Sequence, residues 1–116
     1  MDDRRREPRR KTDMILNAYQ DGLPTIVSCD NVSISGMRFK RLLGPRRQRP
    51  KHIDLEFQLP NDPSVLYIRG EPVYERNDGH VVGVRFLGLN SNQEARVRAY
   101  VEGTQKVQHI SNAFQA

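Results

Sequence analysis

Ile53-Asp54-Leu55-Glu56-Phe57-Gln58-Leu59 alternates apolar and polar side chains without a fault and stops at Pro60. A period of two turns one set of side chains into a core and the other into water, the mark of a strand with one wet face. Shorter runs on either side repeat that character. Met14-Ile15-Leu16-Asn17-Ala18-Tyr19 predicts a first strand closed by a turn at Asp21-Gly22, and the β-branched run Thr25-Ile26-Val27-Ser28-Cys29 a second. In Met37-Arg38-Phe39-Lys40 the alternation puts Met37 and Phe39 on the core side and Arg38 and Lys40 outside. Leu66 to Tyr74 reads as a long strand, bent or bulged at Gly70 and Pro72. Asn77-Asp78-Gly79 is a hairpin turn into Val81 to Phe86. Six strands at short spacing predict a mainly β fold, a small antiparallel barrel.

The period then changes. Ser91-Asn92-Gln93-Glu94 has the spacing of a capping box, and Val97, Tyr100 and Val101 fall on one face of a helix that covers the barrel. Gly103 stops it. Val107, Ile110 and Phe114 allow one more weak amphipathic turn or two. The chain divides into an arginine-rich flexible arm (1–12), a barrel with its capping helix (13–103) and a tail or short helix (104–116). Its 116 residues suit one domain. No apolar run approaches a membrane span, and no signal peptide is visible in the polar residues 1–12. The single cysteine, Cys29, excludes an internal disulfide and fits a reducing cytoplasm. It lies in an apolar run and reads as a buried structural thiol.

Charge is unevenly placed. Residues 1–11 carry six basic and three acidic side chains, 12–37 none basic and three acidic, and 38–52 seven basic and none acidic. Positive charge therefore flanks the polar stretch Asp30-Asn31-Val32-Ser33-Ile34-Ser35-Gly36, read as a turn between strands. The arm Arg4-Arg5-Arg6-Glu7-Pro8-Arg9-Arg10-Lys11 offers planar guanidiniums suited to phosphate and to stacking on bases. Asn31 offers a donor and an acceptor to a base edge, Ser33 a hydroxyl, and Gly36 a backbone without a Cβ. Together they suit an anionic small molecule that contains a base.

These residues resemble the PilZ domain, a bacterial receptor module for cyclic di-GMP. That family carries Arg-x-x-x-Arg on an N-terminal arm and Asp/Asn-x-Ser-x-x-Gly about twenty residues later. Arg5/Arg9 and Arg6/Arg10 both fit the first element, and Pro8 before Arg9 favours Arg5/Arg9. The second element is Asn31 to Gly36. Ile53 to Pro60 and Gly83-Val84-Arg85-Phe86 resemble further strands of the family, so the likeness covers roughly residues 4–102. It implies a six-stranded barrel with a C-terminal helix and a cyclic di-GMP site at Arg4, Arg5, Arg9, Arg10, Asn31, Ser33 and Gly36. Arg4, ahead of the pair, implies two intercalated ligand molecules per site. Ordering a ten-residue arm costs about 10–20 kcal/mol of backbone entropy, against roughly 1.5–3 kcal/mol per charge-assisted hydrogen bond. Such an arm stays loose without a multiply charged ligand and orders partly with one. With no output domain in the chain, the signal is expected to pass to a separate protein.

Two other readings stand beside this one. An adaptor that keeps the fold could act through protein contact without nucleotide. A binder of single-stranded nucleic acid would use the basic stretch Arg38 to Lys51, but that stretch lacks aromatics interleaved for base stacking. His52, His80 and His109 are scattered with no metal-ligand spacing, and no catalytic constellation appears. No enzyme, metal or cofactor is expected, and no membrane insertion.

Overall fold

A computed structural model describes residues 7–44 and 50–104. Six strands are followed by one helix: β1 (Arg9–Gln20), β2 (Leu23–Ser33), β3 (Gly36–Leu43), β4 (Ile53–Gln58), β5 (Val65–Arg76), β6 (Val81–Leu87) and α1 (Ser91–Glu102). All strand pairs are antiparallel, and the order β1-β2-β3-β6-β5-β4 closes on itself, giving the expected barrel. Closure removes the exposed edges that an open sheet would leave. The seam is short: only three residue pairs, Asn17↔Glu56, Ala18↔Leu55 and Tyr19↔Asp54, join β1 to β4. There Glu56 accepts hydrogen bonds from Tyr19 Oη (2.8 Å) and Asn17 Nδ2 (3.1 Å).

The alternation in β4 is realised as read, with Ile53, Leu55 and Phe57 in the core and Asp54 and Gln58 exposed. Met37 and Phe39 likewise point inward from β3. Asp21-Gly22 makes a two-residue hairpin with both residues at positive φ, the geometry whose twist matches the strands it joins. In β5 the irregularity lies between Pro72 and Tyr74, so Val73 is the extra residue. Gly70 keeps its register, buried beside Val84 and Leu55.

Three boundaries differ from the sequence reading. β1 begins at Arg9, inside the segment expected to be a loose arm: Arg9, Arg10 and Lys11 pair with Ser33, Val32 and Asn31. Polar side chains on both faces hide this extension, which backbone hydrogen bonds carry. A bulge between Lys11 and Met14 separates it from the apolar half, and Thr12 Oγ1 there accepts from Met14 N (3.3 Å). β2 correspondingly runs on through Asn31 and Ser33, so the expected turn shrinks to Ile34-Ser35. The capping box also sits one residue earlier. Asn90 Oδ1 accepts from Gln93 N (2.8 Å), and Gln93 Oε1 accepts from Asn90 N (3.0 Å). Asn-x-x-Gln overlaps Ser-x-x-Glu in this chain, and Gln93 has a further tie because its Nε2 donates to Tyr67 O on β5 (2.9 Å).

α1 buries Val97, Tyr100 and Val101 as expected and ends at Gly103 in the left-handed region (φ 72°). Arg96 fixes the helix to the β4–β5 connection by a two-pronged bond to Asp62 (2.8 and 3.0 Å). No helix among the described residues is long and apolar enough to cross a membrane. The tail residues Val107, Ile110 and Phe114 lie outside the described residues.

Candidate functional site

The polar residues of the two sequence elements meet through strand register. Arg9 pairs with Ser33, Asn31 with Arg38, Arg38 with Gly83, and Gly83 with Tyr74. Directly paired residues project to the same side of a sheet. With Val32 and Met37 turned into the core, this row lies on the outer surface. It lines a concave region of about 250 Å³, together with Glu7, Ser35, Gly36 and Arg85.

Within it the side chains differ in their commitments. Among the described residues, neither the Arg9 guanidinium nor the Asn31 side-chain amide has a hydrogen-bond partner. Arg38 Nε donates to both oxygens of Asp30 (2.9 and 3.1 Å), and Arg85 pairs with Glu71. Ser33 is buried, and its hydroxyl holds the turn: it accepts from Ser35 N (3.3 Å) and donates to Gly36 O (3.4 Å). Ser35 O in turn accepts from Phe86 N on β6 (2.7 Å).

Gly36 has a structural reason beyond its expected role. A Cβ there would lie 2.1 Å from the Val84 carbonyl oxygen, so only glycine lets β3 approach β6 this closely. Gly83 is similar, since an added Cβ would meet the Tyr74 ring at 2.2 Å. The Tyr74 ring is therefore seated against a glycine, at the wall of the concavity, with the Arg76 guanidinium 5.1 Å from its centre.

Arg10, expected to assist at the ligand, is turned the other way. Its guanidinium stacks over the Tyr100 ring of α1 (4.2 Å), and Nη1 donates to Tyr100 O (2.6 Å). Successive residues of a strand face opposite sides, so Arg9 and Arg10 cannot both enter the concavity. Arg4 and Arg5 lie outside the described residues. Cys29 is buried behind Asn31. Burial, ahead of the nearby Asp30 charge, pushes its thiol up to about 12, and Sγ donates to Asn31 O (3.2 Å).

Tyr74, Arg38, Arg85, Glu7 and Ser35 were not singled out from the sequence as site residues. A signal existed for one of them: a glycine inside a strand, here Gly83, marks a place where something approaches closely. The others needed the strand register.

A PilZ domain profile matches residues 3–103. The chain belongs to the PilZ domain family. Among solved structures, this PilZ chain is similar to the Bacillus subtilis inhibitor of motility MotI/DgrA, with a TM-score of 0.63 and 13% sequence identity. The alignment covers 84% of this chain and 49% of that one, so the PilZ chain spans about half of that protein's length. At such identity the likeness is one of fold. A search of curated proteins finds no match.

Proposed function

We propose that this PilZ protein is a receptor for cyclic di-GMP, held at the concavity by Arg9, Asn31, Ser33 and Gly36, with Arg4 and Arg5 joining from the arm. The observation that carries the reading is a pair of groups without partners among the described residues, the Arg9 guanidinium and the Asn31 amide, lining one concave surface. The ligand has two phosphates and two guanines. A guanidinium fork donates two parallel hydrogen bonds to phosphate oxygens or to guanine O6 and N7, and its plane stacks on a base. An amide matches a guanine edge. Ser33 and Gly36 support the site by fixing the turn and its distance from β6. Arg9 lines the concavity while Arg10 is engaged with Tyr100 of α1, which favours the Arg5/Arg9 register over Arg6/Arg10.

Ligand binding orders the arm ahead of Glu7 and creates a surface that a separate cytoplasmic protein reads. Two intercalated ligand molecules per site are the proposed stoichiometry, with Arg4 completing it. Isothermal titration calorimetry with cyclic di-GMP, on wild type and Arg9→Ala, tests this, with GTP and cyclic AMP as controls. Saturable, selective binding near two ligands per protomer, lost in the variant, is the expected result. A ratio near one discards the intercalated pair, and absence of binding discards the receptor.

A specific observation favours the adaptor as second reading. Ile15, Ile26, Val65 and Tyr67 leave large apolar side chains exposed on β1, β2 and β5, a surface suited to another protein. If no nucleotide binds, contact through that face is the activity that remains.

A further inference from the structure

Glu7 puts a negative charge where the receptor needs an anion to bind. Its Oε1 accepts a hydrogen bond from Ser35 Oγ (2.7 Å), joining the segment before β1 to the tip of the β2–β3 turn. Both residues line the same 250 Å³ concavity as Arg9 and Asn31. A carboxylate oxygen thus uses a hydroxyl donor, and occupies a cationic field, that a phosphate oxygen of an arriving ligand would also use.

We infer that Glu7 is an internal competitor for the anionic ligand: its carboxylate holds Ser35 in the unliganded protein and must give way when a phosphate enters. This rests on the receptor reading and adds a regulation of the same site. The device follows from chain order, because Glu7 is separated from Arg9 only by Pro8. Proline fixes its own φ and keeps Glu7 out of helical conformation, which limits how far the carboxylate can swing from the arginine it accompanies. Displacement therefore frees the Ser35 hydroxyl as the ligand enters, so Glu7 sets the affinity of the site.

A purely structural role for the same contact makes the opposite forecast. If the Glu7–Ser35 bond only staples the arm, a neutral side chain that keeps the bond leaves affinity unchanged or lowers it. If Glu7 competes by charge, that side chain tightens binding. Glu7→Gln separates the two, because glutamine retains an oxygen acceptor and loses the charge.

The experiment is calorimetric titration of cyclic di-GMP into wild type, Glu7→Gln and Arg9→Ala at two salt concentrations. Glu7→Gln is expected to bind about twofold to fivefold more tightly at low salt, the range of a screened charge interaction. The gain should shrink at high salt. Binding by Glu7→Gln that is equal to or weaker than wild type overturns the inference while the receptor reading stands. Binding by neither overturns the receptor reading and the inference with it.

Discussion

Gly36→Ala puts a methyl group against the backbone of the neighbouring strand. The added Cβ would lie 2.1 Å from Val84 O, 3.2 Å from Val84 C and 3.3 Å from Arg85 Cα. Favourable carbon contacts begin near 3.5 Å, so β3 and β6 must part by roughly 1 Å or more at this point. No side chain can rotate away, since all three obstructing atoms are backbone. The separation falls on the Gly36↔Arg85 pair and on the bond from Phe86 N to Ser35 O (2.7 Å), which such a shift stretches beyond useful length. Losing one or two backbone hydrogen bonds costs about 0.5–1.5 kcal/mol each, and overpacking typically adds about 1–3 kcal/mol. The expected destabilisation is about 2–5 kcal/mol, a large part of the roughly 5–15 kcal/mol that holds a domain folded. Gly83→Ala is the matched comparison, because the three atoms nearest its Cβ would all belong to the Tyr74 ring, a half-exposed side chain that can swing outward. It should cost at most about 1–2 kcal/mol while disturbing the wall of the concavity. Urea denaturation of the three proteins, followed by circular dichroism, measures both. A Gly36→Ala protein within 1 kcal/mol of wild type, or a Gly83→Ala protein that is the less stable of the two, would refute the reasoning.

Other changes separate packing from binding. Arg10→Ala removes the contact with Tyr100 and should lower stability by about 1–2 kcal/mol in the same denaturation assay, leaving cyclic di-GMP affinity within about threefold. A loss of affinity as large as that of Arg9→Ala would return Arg10 to the ligand site. At Asp62, burial opposes ionisation, but the hydrogen bonds from Arg96 and Ser64 N outweigh it and hold the carboxyl below its ordinary value of 3.8. A carboxyl with a lowered folded value contributes stability that is present above the unfolded value and is lost as pH falls through the folded one. Asp62→Asn should thus be about 1–3 kcal/mol less stable at neutral pH, with the gap from wild type closing below about pH 3.8; a gap that is constant with pH would count against the ion pair. Cys29, with its thiol pushed up to about 12, should resist iodoacetamide at pH 8 in the folded protein and react promptly in denaturant, read by mass spectrometry.

The sequence was most legible where burial imposes a strict period. Ile53 to Gln58 declares itself because one face is dry, and Val97, Tyr100 and Val101 because they share a helix face. It was least legible where backbone pairing works without burial. Nothing in Arg9-Arg10-Lys11 distinguishes a polar strand from a loose arm, since the pairing partners Asn31 to Ser33 are themselves polar on one side. The candidate site was half legible for the same reason. Asn31, Ser33 and Gly36 form a recognisable spacing, yet the opposite facing of Arg9 and Arg10 depends on where β1 begins. Tyr74 reaches Gly83 only because Val73 is an extra residue in β5, and a bulge of one residue decides which side chains meet across a pair.

A cylinder joined along one short seam has a defined place to come apart. β1 and β2 are zipped over most of their length, whereas β1 and β4 share three residue pairs reinforced from outside by Glu56. Brief openings of a native protein follow its weakest cooperative boundary. The breathing motion of this barrel should therefore be a parting of β1 from β4, leaving the β1–β2 hairpin intact and swinging as one flap. The concavity, built across β1, β2, β3 and β6, straddles that flap's hinge, with Arg9 and Asn31 both carried on the flap. The protein can loosen at the seam without dismantling the surface on which Arg9 and Asn31 meet.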